Sequence, residues 1–149
     1  MKRVSQVSPT CEIQVKGISI VSVWVLAQEA AKTLYTEKLG FELTNDVVLE
    51  NGMRWLTVRP PGNPEQELLL MDPPRSMLDP ETGRLLSDLV AKGALTPGVM
   101  ATADCREDYR ELTSRSVTFI EAPVDRPYGV EAILRDDSGN WYSFAERRI

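Results

Sequence analysis

Leu34-Tyr-Thr-Glu-Lys-Leu-Gly-Phe-Glu-Leu43 follows closely on Val25-Leu-Ala-Gln-Glu-Ala-Ala31, and together these words carry the chain out of one strand, through a helix and into the next strand. Ala31, Leu34, Tyr35 and Lys38 recur at helical spacing among good helix formers, which predicts a helix over Gln28 to Lys38. Gly40 ends it, as glycine commonly does at a helix C-terminus. Upstream, Ile20, Ser22 and Trp24 alternate with Val21, Val23 and Val25 in a β-branched run that suits a strand covered on both sides. Downstream, Phe41 to Asn45 starts a second strand, Asn51-Gly52 marks a tight hairpin, and Met53 to Val58 returns as a third. After the turn-rich Pro60-Pro-Gly-Asn-Pro64, Glu67 to Met71 makes a fourth.

The same order recurs between Gly98 and Glu146. Val99 to Ala103 reads as a strand, and Asp104 caps a helix with Glu107 three residues on, as in a capping box. Tyr109 and Leu112 supply that helix's inner face. Val117 to Glu121, Val130 to Arg135 and Trp141 to Ala145 complete the unit, the last two joined by the turn Asp136-Asp-Ser-Gly-Asn140. The chain therefore divides into a lead (1–16), a first unit (17–71), an insert (72–96) and a second unit (97–149). A duplicated half-domain must fold against its copy, and the cleft between copies is where a site is expected. In the insert, Leu85, Leu86, Leu89 and Val90 form one stripe on a helix from Pro80 to Lys92, suited to core or dimer packing. The lead alternates weakly at Cys11, Ile13 and Val15, as an extra edge strand or a mobile arm would.

With 149 residues, 42% of them hydrophobic, the chain can bury about 70% of its unfolded surface and enclose a pocket. A net charge of −5 with scattered Lys and Arg argues against nucleic acid and anionic membrane as partners. The longest apolar run, Ile18 to Ala27, is too short to span a bilayer, and no apolar signal core follows Met1-Lys-Arg. A cytoplasmic protein is expected. Cys11 and Cys105 are the only cysteines, which makes neither a disulfide framework nor a metal cluster.

The word from Leu34 to Leu43 with its lead-in resembles the first module of the vicinal oxygen chelate superfamily, which includes glyoxalases, extradiol dioxygenases and bleomycin resistance proteins. Arg126-Pro-Tyr-Gly129 followed by Arg135-Asp-Asp-Ser-Gly-Asn140 resembles its second-module ending, with Asp137-Ser138 where Pro-Asp is common. The resemblance implies an α+β fold of two βαβββ modules forming an open, incompletely closed β-barrel around a cleft, usually in a homodimer. It also implies four inward positions that ordinarily carry His, Glu, His or Gln, and Glu around one divalent metal. Carried over, these fall at Ile20, Leu70, Gly98 or Val99, and Ser143, none of them a metal ligand, and the chain has no histidine. Neither a metal nor another cofactor is expected.

Strand parity then describes the cleft. Ser22 and Trp24 share a face with Ile20, Leu68 goes with Leu70, and Trp141 and Ala145 go with Ser143. Of Arg54 and Trp55, adjacent on the third strand, only one can add to the wall. The expected lining is aromatic and aliphatic with a few polar points, as small-molecule sites are. Glu131, on a strand otherwise built of Val, Ala, Ile and Leu, either has a pKa raised by desolvation, as an acid or base requires, or is salt-bridged to Arg54, Arg126 or Arg135. Tyr128 places a phenol near the same mouth. These residues fit three functions: binding of a hydrophobic or aromatic molecule, metal-independent isomerase, lyase or hydrolase chemistry with Glu131 and Tyr128, or a structural dimer with a filled cavity.

Overall fold

The computed structural model describes residues 12–148. Each half folds as a four-stranded mixed sheet with one helix in its crossover. In the first, β1 (Ile20–Trp24) runs parallel to β4 (Glu67–Met71), and β3 (Arg54–Arg59) and β2 (Glu42–Val48) follow antiparallel, giving the order β1-β4-β3-β2. In the second, β5 (Gly98–Ala101) is parallel to β8 (Trp141–Arg147), followed by β7 (Gly129–Arg135) and β6 (Thr118–Arg126). The two sheets share no ladder, so no closed barrel forms.

The helix read from the opening words is α1 (Gln28–Thr33), continued by a π-helical turn over Leu34–Lys38 whose wider pitch lets both Leu34 and Tyr35 point into the core. Gly40 takes φ +78° immediately after it, the left-handed conformation expected of a helix-ending glycine. The insert helix is α2 (Pro80–Ala91), capped by Asp79. Its stripe divides: Val90 is fully buried, whereas Leu85 and Leu89 lie at the surface. In α3 (Cys105–Ser114), Asp104 caps Glu107 N–H as expected, but the reciprocal arm of the box is missing, since Glu107 pairs with Arg110 instead. The Cys105 thiol is buried and donates to the Phe144 carbonyl, and Cys11 lies outside the described residues. The lead's Ile13 and Val15 are exposed and join no sheet, and the rest of it up to residue 11 also lies outside the described residues.

Both sheets turn the same kind of face inward. Val23, Leu56, Val58 and Leu70 of the first and Val130, Ala132, Leu134, Tyr142 and Phe144 of the second join Ala31, Leu34, Tyr35 and Leu112 from the helical segments in a single core. Each buried side chain of this size contributes about 1.5–3 kcal/mol, so this shared core holds the modules together. A polar clamp reinforces it. Asp136, at the head of the β7–β8 turn, accepts Oδ1 bonds from the Ser138, Gly139 and Asn140 amides and Oδ2 bonds from Asn140 Nδ2 and the Tyr35 hydroxyl. Asn140 Nδ2 also donates to the Trp24 carbonyl, and Ser138 Oγ accepts from Leu26 N–H. Gly139 makes the approach possible: a Cβ there would lie 2.1 Å from the Val90 carbonyl oxygen.

Candidate functional site

Because the helix-covered faces of both sheets meet in one core, their opposite faces turn outward, away from each other. These open faces carry the tryptophans. On the first sheet, the row beside Ile20, Ser22 and Trp24 is Glu67, Leu69 and Met71, followed by Thr57 and Trp55 on β3 and Val47 on β2. On the second, Val99 and Ala101 stand beside Ser143 and Ala145, with Trp141 two residues before Ser143, and Glu131, Ile133 and Val124 lie beyond. Trp24, Trp55 and Trp141 are all half-buried, and Ser22, Val47, Val99 and Val124 are exposed.

The register puts Ser22, Trp24, Trp55, Trp141 and Ser143 on these open faces and three other candidate residues on the helix side. Leu70 is fully buried and pairs with Val23, and Leu68 pairs with Val21, so both point to the helix side. The residue across from Ile20 is Glu67, which places a carboxylate where a leucine was expected. Of the third-strand pair, Trp55 lies on the open face, while Arg54 reaches over α1 to Glu29 and to Asp46. Asp46, bonded to both Arg54 and Lys32, is held far below the usual carboxylate range. On β5, Val99 rather than Gly98 shares the Ser143 face.

With the register known, the residues at and beside the superfamily's four ligand positions are Ile20, Glu67, Val99 and Ser143. A single carboxylate with an aliphatic pair and a hydroxyl does not fit a divalent metal, which needs several converging donors. Glu67 is already occupied by Thr44 Oγ1, which in turn bonds Thr57. Among the described residues no three His, Cys, Asp or Glu side chains converge.

Glu131 is the most organised polar group of the open faces. Its Oε2 accepts from Ser143 Oγ at 2.5 Å and its Oε1 from the Tyr128 hydroxyl at 2.8 Å, with Arg126 Nε 3.5 Å away. These donors lower its pKa, so of the two readings of Glu131 the partnered one, with Arg126 nearby, fits the geometry and the desolvated one does not. Val130 and Ala132 do not desolvate it because they point into the core on the other side of the strand. Glu131 is thus a fixed, ionised acceptor and a weakened base. The same bond to Glu131 raises the Tyr128 pKa, which keeps the phenol protonated. Of the three arginines weighed as partners, only Arg126 approaches; Arg135 instead reaches the Ala91 carbonyl.

Sequence reasoning missed one cavity. It measures about 840 Å³ and lies on the helix side, between Val21, Leu68 and Phe41 of the first module and Met100, Tyr142 and Phe144 of the second. Its signal was present in the Val21 parity, which placed that side chain opposite Ser22.

A pair of βαβββ modules with a shared helix-side core and outward open faces defines the class of proteins built by duplication of this module. The family model described as Glyoxalase/Bleomycin resistance protein/Dioxygenase superfamily matches residues 17–144, and the chain belongs to that superfamily. It is similar to the crystal structure of UcmS2, 44% identical over 89% of this chain and 99% of that one, with a TM-score of 0.85. It is also similar to TnmS3, described as an antibiotic binding protein from Streptomyces sp. CB03234, at 28% identity over 92% of this chain and 100% of that chain and a TM-score of 0.72. The uncharacterised YurT of Bacillus subtilis (strain 168) is 28% identical over 130 residues, 87% of this chain and 98% of its own length. Among the described residues no helix is long and apolar enough to cross a membrane.

Proposed function

We propose that this protein binds an apolar or aromatic small molecule without a metal, in a cleft made when the open face of one module meets that of a second copy of the chain. The observation that carries the reading is the placement of Trp24, Trp55 and Trp141, half-buried, on the two open faces. Indoles presented to an unfilled face supply large, rigid stacking area. The similarity to an antibiotic binding protein supports the ligand class. The exposed Val47, Val99 and Val124 on the uncovered sheet faces support a homodimer, because a second copy would cover them. The protein acts in the cytoplasm, by holding its ligand rather than by converting it; the lowered Glu131 pKa argues against a role as acid or base.

Titration of the purified chain with a panel of polycyclic aromatic compounds, read by tryptophan fluorescence, tests the reading. Saturable quenching that is reduced in Trp55→Phe and Trp141→Phe is expected, together with a dimer mass by light scattering. Three tryptophans unresponsive to the whole panel would favour the structural dimer in which no ligand is taken, and a monomer would rule out a cleft built from two copies.

A further inference from the structure

We propose that Glu131 selects among aromatic ligands, accepting a hydrogen bond from a hydroxyl on the ring system, so that phenolic molecules are preferred over their ethers. The inference rests on the aromatic-binding reading above. The open face around Glu131 carries Val99, Ala101, Val124, Ile133 and Ala145, with Trp141 at one end and a second carboxylate, Glu121, across from Ile133. Of the two carboxylates on that surface, Glu131 is the one fixed from three elements, Ser143 on β8, Tyr128 in the β6–β7 turn and Arg126 at the end of β6, whereas Glu121 meets Arg126 alone.

A carboxylate accepts about four hydrogen bonds, and two are firmly filled here, both by neutral hydroxyls that orient the group without discharging it. Arg126 makes its shorter contact, 2.8 Å, with Glu121 and stands 3.5 Å from Glu131. The side chain keeps 17% of its surface accessible, so lone pairs remain open to the cleft. A hydrogen bond to an ionised acceptor is about twice as strong as a neutral one, which suits recognition by a single contact. The choice of a neutral hydroxyl over a cationic amine comes from the surroundings. Arg126, shared with Glu121, lies beside the carboxylate, and Arg147 stands over the Tyr128 ring at 5.9 Å, so the two carboxylates of the mouth already face two guanidinium groups and a further cation meets no unmatched negative charge. Ser143, at a position the superfamily ordinarily gives to a metal-ligating Glu, here serves to aim a carboxylate one strand away.

Isothermal titration of the full chain with 2-naphthol and with 2-methoxynaphthalene separates this claim from the one beneath it. The wild-type chain is expected to bind the naphthol about tenfold more tightly, the effect of one hydrogen bond to a charged group. Glu131→Gln, which keeps shape and an acceptor oxygen but loses the charge, should reduce that preference severalfold, and Glu131→Leu should abolish it while still binding the ether. Equal affinity for the two probes in the wild-type chain overturns the selection by Glu131 and leaves the aromatic site standing, as does a preference unchanged in Glu131→Gln. If neither probe binds the wild-type chain, the aromatic-binding reading fails and the inference goes with it. Glu131→Gln carries the test if Glu131→Leu does not fold.

Discussion

Replacing Tyr35 by Phe removes one oxygen atom from the junction between the modules, and its cost can be worked out from the bonds that oxygen makes. The hydroxyl lies 2.8 Å from Asp136 Oδ2 and 2.8 Å from the Tyr142 hydroxyl, in a fully buried position. A hydroxyl has a single proton. Tyr35 gives its proton to Asp136, and Tyr142 therefore donates to Tyr35, forming a relay from β8 through α1's π-helical continuation to the β7–β8 turn. Loss of a hydrogen bond to a charged acceptor costs about 1.5–3 kcal/mol, and the stranded Tyr142 hydroxyl adds roughly 1 kcal/mol or more. A total of roughly 3 kcal/mol corresponds to a fall in Tm of about 6–12 °C for a chain of this size. Tyr142→Phe deletes only the upstream member and leaves the Asp136 bond in place, so it should cost about 1 kcal/mol, or roughly 2–4 °C. The double variant should be no less stable than Tyr35→Phe alone, because the second hydroxyl has by then lost its partner. Thermal melts by circular dichroism at one fixed protein concentration measure all three. A Tyr35→Phe chain melting within about 2 °C of wild type, or a Tyr142→Phe chain as damaged as Tyr35→Phe, would refute the relay.

Two further outcomes follow from the same junction. Gly139→Ala should cost more than about 2 kcal/mol, since its Cβ would meet the Val90 carbonyl at 2.1 Å and its φ is +125°, and a chemical-denaturation curve would show the shift. Burial raises the pKa of both Tyr35 and Tyr142, so their contribution to stability is intact below about pH 10, where tyrosines of the unfolded chain begin to ionise, and is lost as pH rises above it. The wild-type melting temperature should therefore fall steeply above about pH 10, and the Tyr35→Phe, Tyr142→Phe double variant should show a shallower slope.

Most of the fold was legible because its signals are local. The helix word, the Gly40 stop and the Asp136–Asn140 turn each depend on residues a few positions apart, and alternation in Ile20 to Val25 sorted that strand's faces correctly. The errors fall where local signal vanishes. Leu68-Leu-Leu-Met71 has no alternation at all, so its facing was set only by pairing with β1, a partner far away in the chain. Arg54 and Trp55 are adjacent and equally suited to a cleft wall; the partners Glu29 and Asp46, on other elements, draw Arg54 to the helix side. For Glu131 the sequence leaves desolvation and an ion pair both open for a related reason, and the Arg126 contact answers to the second. Its apolar neighbours along the strand were counted as surroundings, whereas a strand sends neighbours to the opposite face and leaves each side chain to its cross-strand partners.

The residues that identify the superfamily also occupy one side of the molecule. Tyr35 of the helix word bonds Asp136 of the turn word, Asn140 bonds the Trp24 carbonyl, and Ser138 stands where the usual motif has Asp yet still caps Leu26 N–H. These contacts clamp the two modules of this chain together through their helix-covered faces. The open faces lie apart from this clamp. Ile20, Glu67, Val99 and Ser143 can replace a metal-binding set there without loosening the clamp, because no side chain of that set reaches it. The residues that identify the family and those proposed to meet a ligand thus lie on opposite faces of the same strands. That is why the two strongest words of this sequence specify the architecture and are silent on its cargo. On the reading proposed above, that information lies in the alternate residues of the same strands, above all in the carboxylate that Ser143 and Tyr128 hold in place.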